Sequence, residues 1–127
     1  KSRPAPPPRR RDAKLSSNDL LELFLDLNRD YATFYRLSVD YRGFPADECW
    51  GDASWNPTWF VAAVQDEQTW CVEAAIPIAE LVPASPRNGE VWAVGVHRVV
   101  PGVGLQSVHE PAALPYAPQC CGYLVFQ

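Results

Sequence analysis

Methionine is absent from this chain, histidine occurs only at positions 97 and 109, and no stretch of apolar residues is long. Without methionine, haem held by a Met–His pair is excluded. The two histidines stand far from any paired ligand motif. The four cysteines (Cys49, Cys71, Cys120 and Cys121) contain no Cys-x-x-Cys spacing. A zinc site is therefore not expected. No apolar run approaches the roughly eighteen residues of a membrane span, so none is expected. The glycines of Val99-Val100-Pro101-Gly102-Val103-Gly104 lack both the Gly-Lys-Ser/Thr ending and the full dinucleotide fingerprint, so the segment reads as a turn rather than a phosphate loop. There is no internal repeat and no signal-peptide pattern, and the first residue is Lys. The expectation is a piece of a longer polypeptide whose targeting information lies elsewhere.

What is present divides the chain in two. Residues 1–17 form a proline- and arginine-rich linker: Lys-Ser-Arg-Pro-Ala-Pro-Pro-Pro has no periodicity and favours an extended polyproline conformation. Lys1, Arg3, Arg9, Arg10, Arg11 and Lys14 oppose only Asp12 there, while the whole chain carries a net charge of −4. The body after the linker is therefore acidic, which argues against nucleic acid as a partner, because phosphate binding needs a basic face. The Arg9–Arg11 cluster reads as a solvated linker. Hydrophobic residues at 47% are enough for the core of one domain over residues 18–127.

The order of that domain is set by Trp70–Arg98. Trp70-Cys71-Val72-Glu73-Ala74-Ala75-Ile76-Pro77 alternates as a half-buried strand does, with Trp70, Val72, Ala74 and Ile76 on one face. Pro77 stops it. Val91–Arg98 is a second strand whose Trp92, Val94 and Val96 share a face, so two tryptophan-led faces can meet in one core. Leu20–Leu27 places four leucines on one side and Glu22 and Asp26 on the other. Tyr31–Tyr41 is rich in aromatic and β-branched residues, which suits a strand. Asn28-Arg29-Asp30 joins these two as a hairpin. Residues 42–58 read as a long loop, Trp59–Val64 as a short strand, and residues 105–119 as irregular chain. Gly122–Phe126 is the last strand, and Ile78–Leu81 is one helical turn at most. The fold class expected is all-β, an antiparallel β-sandwich of jelly-roll or immunoglobulin-like type. Cys49 could pair with Cys120 or Cys121 in an exported protein, and Cys71 reads as a small buried strand residue.

The succession of an acidic leucine strand (Asp19–Leu27), an aromatic strand ending in Asp40, Trp70-x-Val-Glu-x-x-Ile-Pro with Leu81, and Gly89-x-x-Trp92 leading to Arg98 carries a resemblance. Over residues 18–127 it resembles the carbohydrate-binding module family nine-like group within the DOMON-like β-sandwiches. The resemblance implies a sugar-binding sandwich, commonly an accessory domain of a larger exported protein. Such domains begin with further strands where this chain has its proline-rich linker. A sandwich short of its first strands is the corresponding expectation, with an upstream segment supplying them.

Sugar recognition needs flat aromatic faces against the C–H side of a ring and polar groups on its hydroxyls. Within residues 42–59, Trp50, Trp55 and Trp59 offer the rings, and Arg42, Asp47, Asp52 and Asn56 the polar groups. The competing reading makes these tryptophans a core cap at the open end of the sandwich, since large aromatics are more often buried. Asp26-x-Asn28-x-Asp30 resembles the start of a calcium loop, but Tyr31 occupies the glycine position and Leu37 the closing acidic one. A hairpin turn is the better reading; no cofactor is expected, with a structural calcium as the weaker alternative. Glu73 has no selected carboxylate partner for glycosidase chemistry, and Ser107 and His109 lack a nucleophile elbow.

The expected function is thus a non-catalytic, oligo- or polysaccharide-binding domain of an extracellular, periplasmic or cell-surface protein, attached to an upstream domain. The alternative is a structural or interaction domain that packs on a neighbour without a sugar ligand. A weaker third reading is a fragment of an enzyme's fold.

Overall fold

The computed structural model describes residues 18–30, 33–49, 52, 54–107 and 122–127. Eight strands carry almost all the regular structure: β1 (Leu20–Asp26), β2 (Tyr35–Asp40), β3 (Pro45–Cys49), β4 (Phe60–Gln65), β5 (Trp70–Ala75), β6 (Val91–Val100), β7 (Gly104–Ser107) and β8 (Gly122–Val125). Among the described residues there is no α-helix, only a 3-10 turn at Ile78–Glu80. Among the described residues the fold is nearly all β and every strand pairing is antiparallel.

The larger sheet runs β3-β2-β1-β6-β7, and β8 shares the outer edge of β6 with β7. β8 pairs along Val91–Val94 and β7 along His97–Val100. Among the described residues the smaller sheet consists of β4 and β5. The Trp70 and Trp92 strands therefore lie in different sheets. Their apolar faces nevertheless look toward each other: Val72, Ala74 and Ile76 line the same cleft as Val96. The main cluster is built from buried Leu25, Leu37, Leu81 and Trp92, with Ile76, Ile78 and Val94 packed against it. Burying each such side chain contributes about 1.5–3 kcal/mol.

Three boundaries depart from the sequence expectation, each for a local reason. Strand structure begins at Tyr35 rather than Tyr31. Asp30 Oδ1 accepts the Thr33 backbone N–H at 2.8 Å, a side-chain bond that favours a turn over a ladder. Tyr31 and Ala32 lie outside the described residues. Second, the expected loop over 42–58 contains strand β3. Asp40 Oδ1 accepts the N–H groups of Arg42 (2.9 Å) and Phe44 (3.0 Å), and Gly43 takes a φ of 83°. That tight turn returns the chain alongside β2, where Pro-Ala-Asp-Glu-Cys is held by pairing, its composition being unlike a strand. Pro45 is tolerated as the first residue of an edge strand. Third, β6 continues through Val100, so the turn spans only Pro101–Val103 before β7 begins.

Cys71 is exposed and not buried, because its face of β5 looks away from the larger sheet and nothing described covers it. Cys49 is a free thiol. Cys120 and Cys121, its expected disulfide partners, lie outside the described residues, as does the expected linker over 1–17.

Candidate functional site

The residues proposed from sequence are divided between the two ends of β2. Arg42 sits in the β2–β3 turn, where its Nε donates to Asp40 Oδ2 at 2.7 Å and its guanidinium lies 4.2 Å from the Phe44 ring centre. Asp52, Trp55 and Asn56 belong to the other end, where Tyr35 begins β2; the length of β2 is roughly 17 Å. Asp47 is 4% exposed, and its Oδ2 accepts the Trp59 indole N–H at 2.8 Å. Asp47 thus holds Trp59 and is not displayed to a ligand. Trp50 lies outside the described residues.

What remains together is a small wall. Cys49 and Asp52 form a backbone bridge, bonding in both directions at 3.1 and 2.8 Å, which folds the segment after β3 back on itself. This places the Trp55 ring 4.7 Å from that of Tyr35, tilted by 44°. Tyr35 was not singled out from sequence, yet it fixes the wall: its hydroxyl donates to the Leu81 carbonyl at 3.1 Å. Burial, with a smaller contribution from the neighbouring Cys49, pushes the Tyr35 phenol above its ordinary value. Burial likewise pushes the Cys49 thiol up. Trp55 and Trp59 are half-buried and both pack on the main apolar cluster, so the core-cap reading holds for one side of each ring. Asp52 and Asn56 are exposed beside them. Hydrogen bonds from Ser54 hold the Asp52 carboxyl below its usual value, so it stands as an anionic acceptor.

A second cluster links the sheets. Asp19 accepts Arg98 Nε at 3.1 Å and Arg98 Nη2 at 2.6 Å, and its Oδ2 also takes the Trp70 indole N–H at 3.2 Å. The Arg98 hydrogen bond is the main reason that the Asp19 carboxyl is held below its usual value. Both Asp19 oxygens are engaged, so the cluster acts as a clasp between β5 and the larger sheet.

Polar residues also line the reverse face of the larger sheet, a feature that strand alternation implied only as a solvent side. Glu22 opposes Ser38 on one flank and His97 on the other. Glu22 is 8% exposed and His97 0%, and Glu22 Oε2 and both His97 ring nitrogens have no hydrogen-bond partner. Asp26, from the calcium-like spacing, is fully buried, and its Oδ1 accepts the Asp30 N–H. No group of three metal-ligating side chains occurs among the described residues.

No protein-family model matches the chain, and comparisons with curated proteins and with solved structures find no match either.

Proposed function

We propose that this chain is a non-catalytic carbohydrate-binding module whose two sheets are the halves of a β-sandwich, carried as an accessory domain by a larger exported protein. The observation that carries this reading is the wall at the start of β2. Trp55 is braced on Tyr35 and half-exposed, with Asp52 and Asn56 exposed at its margin. A braced ring loses little freedom on meeting a sugar face, and an anionic carboxylate with an amide suits vicinal hydroxyls. The site proposed is therefore Trp55, Asp52 and Asn56, with the exposed part of Trp59; Arg42 and Asp47 serve the fold. Titration of the folded chain with a panel of soluble oligosaccharides, followed by tryptophan fluorescence, tests it. A saturable change that Trp55→Ala abolishes is expected; a flat response across the panel overturns it.

One observation favours the interaction-domain reading as the second. The outer face of the β4–β5 ribbon carries Phe60 at 65% and Val64 at 73% exposure beside Ala62, Cys71 and Ala75, with Glu73 the one charged residue on it. Exposed apolar surface of this kind is typical of faces that meet another protein surface.

A further inference from the structure

We propose that the cleft between β5 and the larger sheet is a binding site for a small, uncharged, flat aromatic molecule, separate from the Trp55 face of the sugar wall and sharing only Trp59 with it. The cleft encloses about 180 Å³. Its floor is Leu21, Leu23, Val39 and Val96 of the larger sheet, and its roof is Val72 and Ile76. Trp59 closes one side, with its indole N–H already committed to Asp47. The ring therefore has no free hydrogen-bond donor to offer a guest. Glu22, the one ionisable residue among those that line the cleft, alternates to the reverse face of the sheet beside Ser38 and His97.

Three properties choose the ligand. An apolar cleft of this size favours apolar guests, because water in it meets few polar partners. At the packing density of protein interiors, near 0.74, the space suits a guest of roughly 130 Å³, about one or two fused rings. The slot lies between two sheets, which favours a plate over a globe, and the Trp59 ring gives that plate an aromatic partner. A sugar is a poor occupant, since no hydroxyl would find a partner among these side chains. The roof strand is not sealed down along its length: Leu21, Leu23, Val72, Ile76 and Val96 are half-buried and Ala74 is exposed. Entry therefore needs no unfolding.

The test uses indole as the probe and methyl-labelled protein, read by carbon–proton correlation spectra. Ring-current shifts that saturate and centre on Val72, Ile76, Val96 and Leu23 are expected. Val72→Phe fills the slot and should weaken binding at least tenfold, and Ala74→Leu narrows its mouth should the first variant fold poorly. Trp55→Ala should leave indole binding intact, and Val72→Phe should leave any sugar response intact, so the two sites fail separately. Shifts that do not saturate, that spread equally to the exposed Val64, or that persist in the filled variants would overturn the proposal. The cleft would then be an under-packed seam that the larger side chain merely stabilises.

Discussion

At the scale of single residues, the largest unmet demand is at His97. Its ring is fully buried against Phe24, 5.0 Å between centres, with neither nitrogen hydrogen-bonded. Burial holds its pKa below 6.5. As pH falls below that value the unfolded chain takes up a proton that the folded chain refuses, so stability is lost on acidification through this window. His97→Leu should remove that slope and raise stability by about 1 kcal/mol at pH 7, seen in urea denaturation at pH 7 and 5.5. Glu22 works in the opposite sense. Burial raises its pKa above 4.5, only partly offset by Arg36 at 3.8 Å. The folded chain keeps the proton longer, and stability falls as pH rises above that point. Glu22→Gln should therefore stabilise the protein at neutral pH and flatten this limb. Asp19 shows the third case. Its lowered carboxyl pKa favours the folded state above 3.8, and that gain is lost as pH falls through the depressed value. Arg98→Lys gives up the two-pronged contact, so the Asp19 pKa measured by NMR should rise, for a stability loss of about 1 kcal/mol or less at this half-exposed pair.

At the scale of elements, the β2–β3 turn and the β6 strand decide the architecture. Gly43 adopts a φ of 83°, which a side chain disfavours by about 1–2 kcal/mol. Gly43→Ala should lower the thermal midpoint by several degrees, and Gly43→Asn by less. Truncation of Trp92, 2% exposed at the centre of the main cluster, should cost about 3–5 kcal/mol in a denaturation experiment. Strands with alternating apolar residues were legible from sequence: Leu20–Asp26, Trp70–Ala75 and Val91–Arg98 lie where their period-two pattern placed them. β3 was not, because Pro-Ala-Asp-Glu-Cys is made a strand by its neighbour and the Asp40 turn, information that lies outside its own five residues. The partition of strands between sheets was equally hidden, since alternation reports a face and not a partner. Of the candidate site, the aromatic and acidic residue types were legible, but not which end of β2 would hold them. Tyr35 looked like any strand aromatic, and Asp47 like any loop carboxylate, until the Cys49–Asp52 bridge and the Trp59 indole gave them roles.

At the scale of the whole molecule, the two sheets are unequal in width, and the narrow one leaves apolar side chains in contact with solvent. Phe60→Lys and Val64→Lys should reduce light scattering at high protein concentration while leaving the unfolding free energy within about 0.5 kcal/mol of the parent. β6 has a different importance. It joins β1 on one side and both β7 and β8 on the other. β1 with β2, β2 with β3 and β4 with β5 are hairpins between sequence neighbours, available as soon as each pair of strands has been made. The second edge of β1 must instead wait for β6, with Leu23 meeting Val96 from the far side of the intervening hairpins. Closing so large a loop is entropically costly and makes assembly slow relative to local pairing. During synthesis, the three-stranded leaf β3-β2-β1 therefore leaves the ribosome with a raw edge, and the nascent chain is most exposed to mispairing in the interval before Val91–Val100 arrives to cover it.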